Sequence, residues 1–256
     1  VIKQSKKMHE DRVINSEGKY IYVDPEDGRG RKLIENGGAL TPRTIFLWDM
    51  LISEEKWTHV IDVGANYGEM LVSCPLPSSA SIVAIEPNPE VRRHLVRTLR
   101  EADLTAEILD VALSDTTGIG SLMIDRSWSG KSHLARAHDA DGVPVRLVTL
   151  ASVLTGFDGS ADKMRVLVKI DVEGHEAAVL RGASEILPAL GQFSALVEVL
   201  HGADEDLDWI EENFDIVMLK LGNIPEPVSV RQGCFRHMLA SGEYYSQDVI
   251  LRRREP

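Results

Sequence analysis

"VIDVGANYG", residues 60–68, decides the fold. An apolar run ends in Asp62 and passes at once into Gly64, Ala65, Asn66, Tyr67 and Gly68. The run reads as a buried parallel strand. The glycines let the chain turn tightly and bring bare backbone against a ligand. A second apolar run, Ala80 to Ile85, ends in Glu86. An acid at the tip of the second strand of such a unit is placed to accept from both hydroxyls of a ribose. The two tips together predict a nucleoside site at the carboxyl edge of an open α/β sheet.

The turn also discriminates between nucleoside cofactors. A dinucleotide site needs G-x-G-x-x-G and a helix N-terminus aimed at pyrophosphate. Here the turn has two glycines, and Asp62 puts an anion where pyrophosphate would approach. S-adenosylmethionine (SAM) carries no phosphate, and its ammonium and sulfonium are cationic. The acid beside the turn therefore suits SAM and disfavours NAD.

Working outward, strands and helices alternate, which predicts a parallel sheet with helices on both faces. Strands are expected near 58–63, 81–86, 105–111, 165–171 and 194–199, with helices over 89–102, 175–187 and 204–213. "GSLMID" and "VPVRLVTL" read as strands flanking the polar loop 126–142. The last strands, "DIVMLK" and "SQDVILRR", suggest a hairpin that places one antiparallel strand at the sheet edge. Residues 1–55 read as an N-terminal extension on the acceptor side, with Thr41-Pro42 opening a helix, and 56–256 as the catalytic domain.

Ligands in open α/β sheets bind outside the carboxyl ends of the strands. The polar tips are Asp62, Glu86, Asp110, Asp171 and Glu198. Asp110 is placed to accept from an adenine amino group. Asp171 and Glu173 in "VKIDVEGHE", with Glu198 and His201 in "LVEVLHG", offer two chemistries. They are hard ligands for Mg²⁺ or another divalent cation, or an acid–histidine pair serving as general base. The base candidates are His201 first, then His133, His175 and Asp171. Ion pairing of these acids with Lys169 or Arg181 is the structural alternative. Trp128 is a candidate for stacking on a sugar, and Trp48 reads as core.

Composition narrows the partners. The 256 residues suffice for one α/β domain with an extension, and 43% hydrophobic and 27% charged residues are ordinary for a globular protein. A formal charge of −12 argues against a nucleic-acid partner. No apolar run approaches twenty residues, the start lacks a signal-like apolar core, and the two cysteines form no metal-type pair. The expectation is a cytoplasmic protein without a membrane span, with homodimer formation left open.

"VIDVGANYG", "VAIEPNP", "VALSD" and "LVKIDVEGHEAAVLRGA" resemble the FkbM family of class I SAM-dependent methyltransferases. The resemblance implies a Rossmann-like, seven-stranded, mostly parallel sheet with a reversed last strand. It implies SAM as donor and a hydroxyl acceptor on a sugar, glycolipid or polyketide. By position, Asp62, Gly64, Ala65, Asn66 and Gly68 resemble the SAM loop and Glu86 the ribose acid. Asp110, Ala112 and Leu113 resemble the adenine wall. Asp171, Glu173 and Glu198 align with acids facing the acceptor. Ala151 departs from the family pattern, where an acid is common. The expected activity is O-methylation of a small sugar or glycan unit. A polyketide or lipid hydroxyl is the alternative, and a non-catalytic SAM-binding protein is the rival from another class.

Overall fold

The computed structural model of the protein describes residues 11–135 and 142–254. The first ten residues, and His138 with the rest of 136–141 in the polar loop, lie outside them. The main sheet has eight strands: β1 (His59–Val63), β2 (Ser81–Ile85), β3 (Glu107–Leu109), β4 (Arg165–Ile170), β5 (Gln192–Glu198), β6 (Phe214–Lys220), β7 (Glu226–Ser229) and β8 (Asp248–Arg253). Their order is β7-β6-β8-β5-β4-β1-β2-β3. β3, β2, β1, β4 and β5 run parallel, and β8 is antiparallel to both β5 and β6. The α/β Rossmann-like architecture is the expected one.

Two details correct the expectation. The sheet has eight strands rather than seven, because Glu226–Ser229 pairs with β6 at the edge. The reversed strand β8 lies inside the sheet. Val249, Ile250 and Leu251 are all fully buried, as a strand covered on both faces requires. The true edge strand carries Pro227, which cannot donate to a ladder. The strand expected over 105–111 also stops at Leu109. Ala112–Leu113 instead joins a second sheet with Val143–Val148, Gly118–Met123 and His133–Leu134. The two strands expected around the polar loop are therefore part of a four-stranded sheet over the β3 side.

The helices are α1 (Gly28–Glu35), α2 (Pro42–Glu54), α3 (Glu69–Ser73), α4 (Pro89–Glu101), α5 (Leu150–Thr155), α6 (Glu176–Arg181), α7 (Asp204–Asn213) and α8 (Phe235–Ala240). Asn88 caps α4 by accepting from Glu90 N, and Val91, Leu95 and Leu99 form its buried stripe. Thr41 precedes α2, but its side chain makes no cap bond; Pro42 at the first position sets the start. α6 ends at Arg181, six residues short of the expected 187. No helix among the described residues is long and apolar enough to cross a membrane.

Successive residues of β1 face opposite cores. Ile61 and Val63 pack with α5, α6 and α7, while Val60 packs with α2, α3 and α4. The second core also takes Ile21, Val23 and Leu33 from the segment before β1. Tyr22 N donates to Thr98 Oγ1 on α4 at 2.9 Å. This seats the segment 20–35 across the glycine turn.

Gly64 shows how little room the turn has. Its φ is +82°, and a Cβ there would stand 2.0 Å from Asp171 O. Gly64→Ala adds a left-handed penalty of about 1–2 kcal/mol to a clash with main chain that cannot yield. The expected result is a large fall in denaturation midpoint. A stability within about 0.5 kcal/mol of the parent would contradict this packing.

Candidate active site

The carboxyl ends of β1 to β4 border one cleft. Its floor and walls include Gly64, Asn66, Glu86, Val111, Ala112, Leu113, Asp171, Glu173 and His175. Loop residues Ser129, Ser132 and His133 close one side, and Arg29 of α1 borders it from the N-terminal segment. A second hollow adjoins it, sharing Arg29, Asp171 and Glu173 and adding Lys169, Glu198 and Asp248.

Glu86 is 6% exposed and held by main chain. Asn66 N donates to its Oε2 at 2.9 Å and Asn88 N to its Oε1 at 2.7 Å. Each oxygen keeps further acceptor capacity, so the carboxylate is set to receive a pair of hydroxyls. Asn66 has a φ of +47°, which turns its N–H onto that acid. Past Glu86 the cleft is apolar, lined by Val111, Ala112 and Leu113. A flat heteroaromatic ring fits such a wall.

The cleft brings together only part of the residues expected to hold a nucleoside. Gly64, Asn66, Glu86, Ala112 and Asp171 line it. Ala65 and Gly68 are buried behind it and shape the turn; a Cβ on Gly68 would meet Leu95 Cδ1 at 2.7 Å. Asp110 is a correction. It is exposed and does not line the cleft, because β3 ends at Leu109 and Val111 turns inward instead. Ala151 lies on α5, outside both hollows, so its departure from the family pattern leaves the cleft unchanged.

Asp62 lies beneath the turn, 1% exposed, and neither of its oxygens has a hydrogen-bond partner. Strand register sets it beside Lys169. Lys169 Nζ donates instead to Asp171 Oδ2 at 2.9 Å. Burial works against the ammonium, but Asp171, Asp62 and Asp248 outweigh it and raise its pKa, so it stays charged. Burial likewise opposes ionisation of Asp171, yet Lys169 and Arg29 hold its carboxyl below the ordinary range. Asp171 is thus an anchored anion and a poor base. The ion pair with Lys169 that the sequence left as the structural alternative is formed.

The turn after Asp171 is fixed by Glu176, whose Oε1 accepts from Val172 N and Gly174 N at 3.0 and 3.1 Å. Glu173 is held at a φ of +57°, a left-handed conformation costly for a non-glycine residue. His201 Nε2 stands 3.2 Å from Glu173 Oε2. Gln247 Nε2 donates to Glu198 Oε1 at 3.2 Å, and Glu198 Oε2 is buried without a partner. One ligand atom each from Glu173, Glu198 and His201 lie within 4.8 Å of one another. Three of the four expected metal ligands therefore converge. Asp171 stands outside this group, and its Oδ2 accepts from Lys169.

The histidines separate. His201 is exposed and lines neither hollow; it reaches the site through Glu173. His133 borders the cleft, with Nδ1 2.9 Å from Lys131 O. His175 Nε2 is 3.0 Å from Ser114 Oγ, next to the Ala112–Leu113 wall, and burial lowers its pKa. It belongs to the apolar end of the cleft, away from Glu173's partners Glu198 and His201. Trp128 is committed to α1: a Cβ on Gly28 would stand 2.9 Å from its ring.

Burial lifts Asp62 and Glu86 to about 7 each. Burial, with the charges of Asp171 and Glu176 adding, lifts Glu173 to about 7. Burial, then Asp171 and Glu173, push Glu198 up as well. These acids hold protons more readily folded than unfolded. Their stabilising share is present below the ordinary carboxyl range and is lost as pH rises through about 7 for Asp62, Glu86 and Glu173 and through about 9 for Glu198. Asp171 has the opposite sign, and its share is lost only as pH falls below that range. The unliganded protein should therefore melt at lower temperature at about pH 8 than at about pH 5.5. Glu198→Gln should flatten that slope. Melting curves across this window check both, and a rising slope would contradict the raised values.

Several site residues escape sequence reasoning. Asp27 accepts from Gly30 N, Ser129 N, Ser129 Oγ and Tyr67 Oη, tying α1, the glycine turn and the polar loop together. "DGRGRK" reads as a turn, after "KYIYVDPED" as an edge hairpin or short strand; the signal that could have marked Asp27 is an N-cap acid before a short helix. Arg29 and Asp248 carry no local signal at all.

Residues 62–223 match the methyltransferase FkbM domain family. Hexuronic acid methyltransferase AglP of Haloferax volcanii is 28% identical over 156 residues, 60% of this chain and 62% of that protein. The chain thus spans less than two thirds of that relative's length. Among solved structures, an O-methyltransferase from Bacillus cereus in complex with SAH has a TM-score of 0.48 at 10% identity, covering 85% of this chain and 83% of that one. A methyltransferase from Geobacter sulfurreducens has a TM-score of 0.46 at 10% identity, covering 88% and 85%. The family match begins at Asp62 and takes in the tips of β1 to β5, where the cleft and its acids lie. The chain belongs to the FkbM methyltransferase family.

Proposed function

We propose that the protein is a SAM-dependent O-methyltransferase acting on a small hydroxylated acceptor, a sugar or glycan unit first. The observation that carries this reading is the order of groups along one cleft. An apolar wall at Val111–Leu113 is followed by the preset acid Glu86, and then by Asp171 and Glu173. Adenine, ribose and a cationic sulfonium require that order. The Haloferax relative, named for a hexuronic acid, supports a sugar acceptor.

When bound, the cofactor supplies an electrophilic methyl on sulfonium. The chain's task is to hold the acceptor oxygen in line and remove its proton. Alignment of this kind is worth up to about 7–11 kcal/mol in well-oriented systems. Glu173 suits the second task better than His201, because its pKa lies at about 7 and it borders both hollows. His201, exposed and 3.2 Å from Glu173, can pass the proton to water.

A second arrangement is favoured by the convergence of Glu173, Glu198 and His201. These donors fit a divalent cation, which would acidify the acceptor hydroxyl and offset the acids' mutual repulsion. Assay after rigorous chelation separates the two: the general-base reading expects full activity, and loss restored by Mg²⁺ or Mn²⁺ supports the cation.

Calorimetry with SAM, SAH and NAD tests the cofactor. SAM and SAH should bind and NAD should not, and binding near pH 7 should release protons as the cation pulls the raised acids down. Methyl-labelled SAM incubated with fractionated glycans and lipids then identifies the acceptor. Binding without transfer to any acceptor would leave a non-catalytic SAM protein instead.

A further inference from the structure

Arg29 stands on α1, before the stretch that matches the family. Among the described residues that line the cleft it is the sole arginine or lysine. It borders the adjoining hollow as well. Its place is imposed by the fold. The helix start is held by Asp27, and a Cβ on Gly28 or Gly30 would strike main chain at 2.5 or 2.2 Å. Glu69 pairs with Nη2, while the buried Nε–H has no partner. A guanidinium carries five donors, and leaving them unmet away from water is costly. Lys169, the other nearby cation, is bound to Asp171 and does not line the cleft.

The sheet order locates Arg29 along the ligand. Tips run β4-β1-β2-β3 across the cleft. With adenine past β3 and ribose at Glu86 past β2, the amino-acid end falls over β1 and β4. Arg29 lies there, beside Asp171 and Glu69, whose charges both act on it. That end of SAM is a zwitterion. Its ammonium is well served by the surrounding acids, but its carboxylate would stand unpaired among them without a cation. A planar guanidinium is the group that meets a carboxylate edge-on.

We propose that Arg29 binds the carboxylate of the cofactor's amino-acid end, so that the cofactor site is completed by the segment preceding the family's matched stretch. The proposal rests on the SAM reading above. The same chemistry would also serve a carboxylate on the acceptor, and the experiment separates the two.

The full chain and its Arg29→Met and Arg29→Lys variants are titrated calorimetrically with SAH and with the analogue of SAH that lacks only the carboxylate. The readout is the ratio of the two affinities. The parent should prefer SAH. Arg29→Met should weaken SAH by about ten- to a hundredfold and leave the decarboxylated analogue within about twofold. Arg29→Lys should fall between, keeping charge without the fork. Retained binding of the analogue shows that the variant is folded; if Arg29→Met does not fold, the Lys variant's ratio decides. Equal losses for both ligands would make Arg29 merely structural and overturn the proposal. Unchanged SAH binding would also overturn it, and if acceptor KM alone then rose, the guanidinium would belong to an acceptor carboxylate. If the parent binds neither ligand, the SAM reading itself fails and takes this proposal with it.

Discussion

Glu173→Gln is expected to lower turnover by about 10²–10⁴-fold while leaving SAH affinity unchanged. The substitution keeps size and the left-handed backbone at φ +57° and removes only the group that takes a proton. Its pKa of about 7 comes first from burial and then from Asp171 and Glu176, which makes it half-ionised near neutrality. The parent's kcat should accordingly rise with pH through about 7 and level off, because the base must be unprotonated to act. That dependence should vanish in Glu173→Gln. His201→Asn should cost far less, since His201 is exposed, lines neither hollow and stands 3.2 Å from Glu173 Oε2. A Glu173→Gln enzyme with parental turnover, beside a His201→Asn enzyme that has lost it, would return the base role to the histidine.

Glu86→Gln should weaken SAM and SAH binding by about 10²–10⁴-fold. Two charge-assisted hydrogen bonds to the ribose are at stake, each worth about 1.5–3 kcal/mol. Gln is the better variant than Ala. Ala would strand the N–H groups of both Asn66 and Asn88, now bound at 2.9 and 2.7 Å, whereas Gln keeps its oxygen for one of them and turns its NH2 toward the other. Unlike the Arg29 variants, Glu86→Gln should weaken the decarboxylated analogue as much as SAH, because both carry the ribose. Calorimetry with the three proteins reads the two ends of the cleft separately. Parental affinity in Glu86→Gln would remove this acid from the ligand.

Much of the fold was legible because its signals are local. A continuous apolar run such as "HVIDV" is buried on both faces in any sheet that contains it, and it is fully buried here. The Pro89 helix start, the α7 span and the acids at strand tips follow from spacing within about a dozen residues. Strand neighbours are another matter. "DVILRR" reads as half of an edge hairpin, yet β8 slots between β5 and β6, with β7 and α8 inserted in the connection. Its three central residues are apolar in a row, which suits an interior strand, but periodicity does not say which strands flank it.

The sequence by itself determined the α/β sheet, the glycine turn, the acid Glu86 at the second strand tip and the family. Each depends on residues close together in the chain, where backbone sterics and burial period leave few choices. Only the tertiary structure decided what surrounds each acid. Arg29 meets Glu69 across 40 residues, Thr44 meets Asp248 across 204, and Asp27 meets Ser129 across 102. Folding buries Glu173 and Glu198, which lifts both, brings Arg29 to join Lys169 in holding Asp171 charged, and leaves Asp110 and His201 at the surface. A side chain's chemistry follows from its desolvation and from the charges within a few ångströms. Some of those charges are near in sequence, as Lys169 is to Asp171, but the desolvation is set by how far-apart segments pack, and no spacing in the chain encodes it directly.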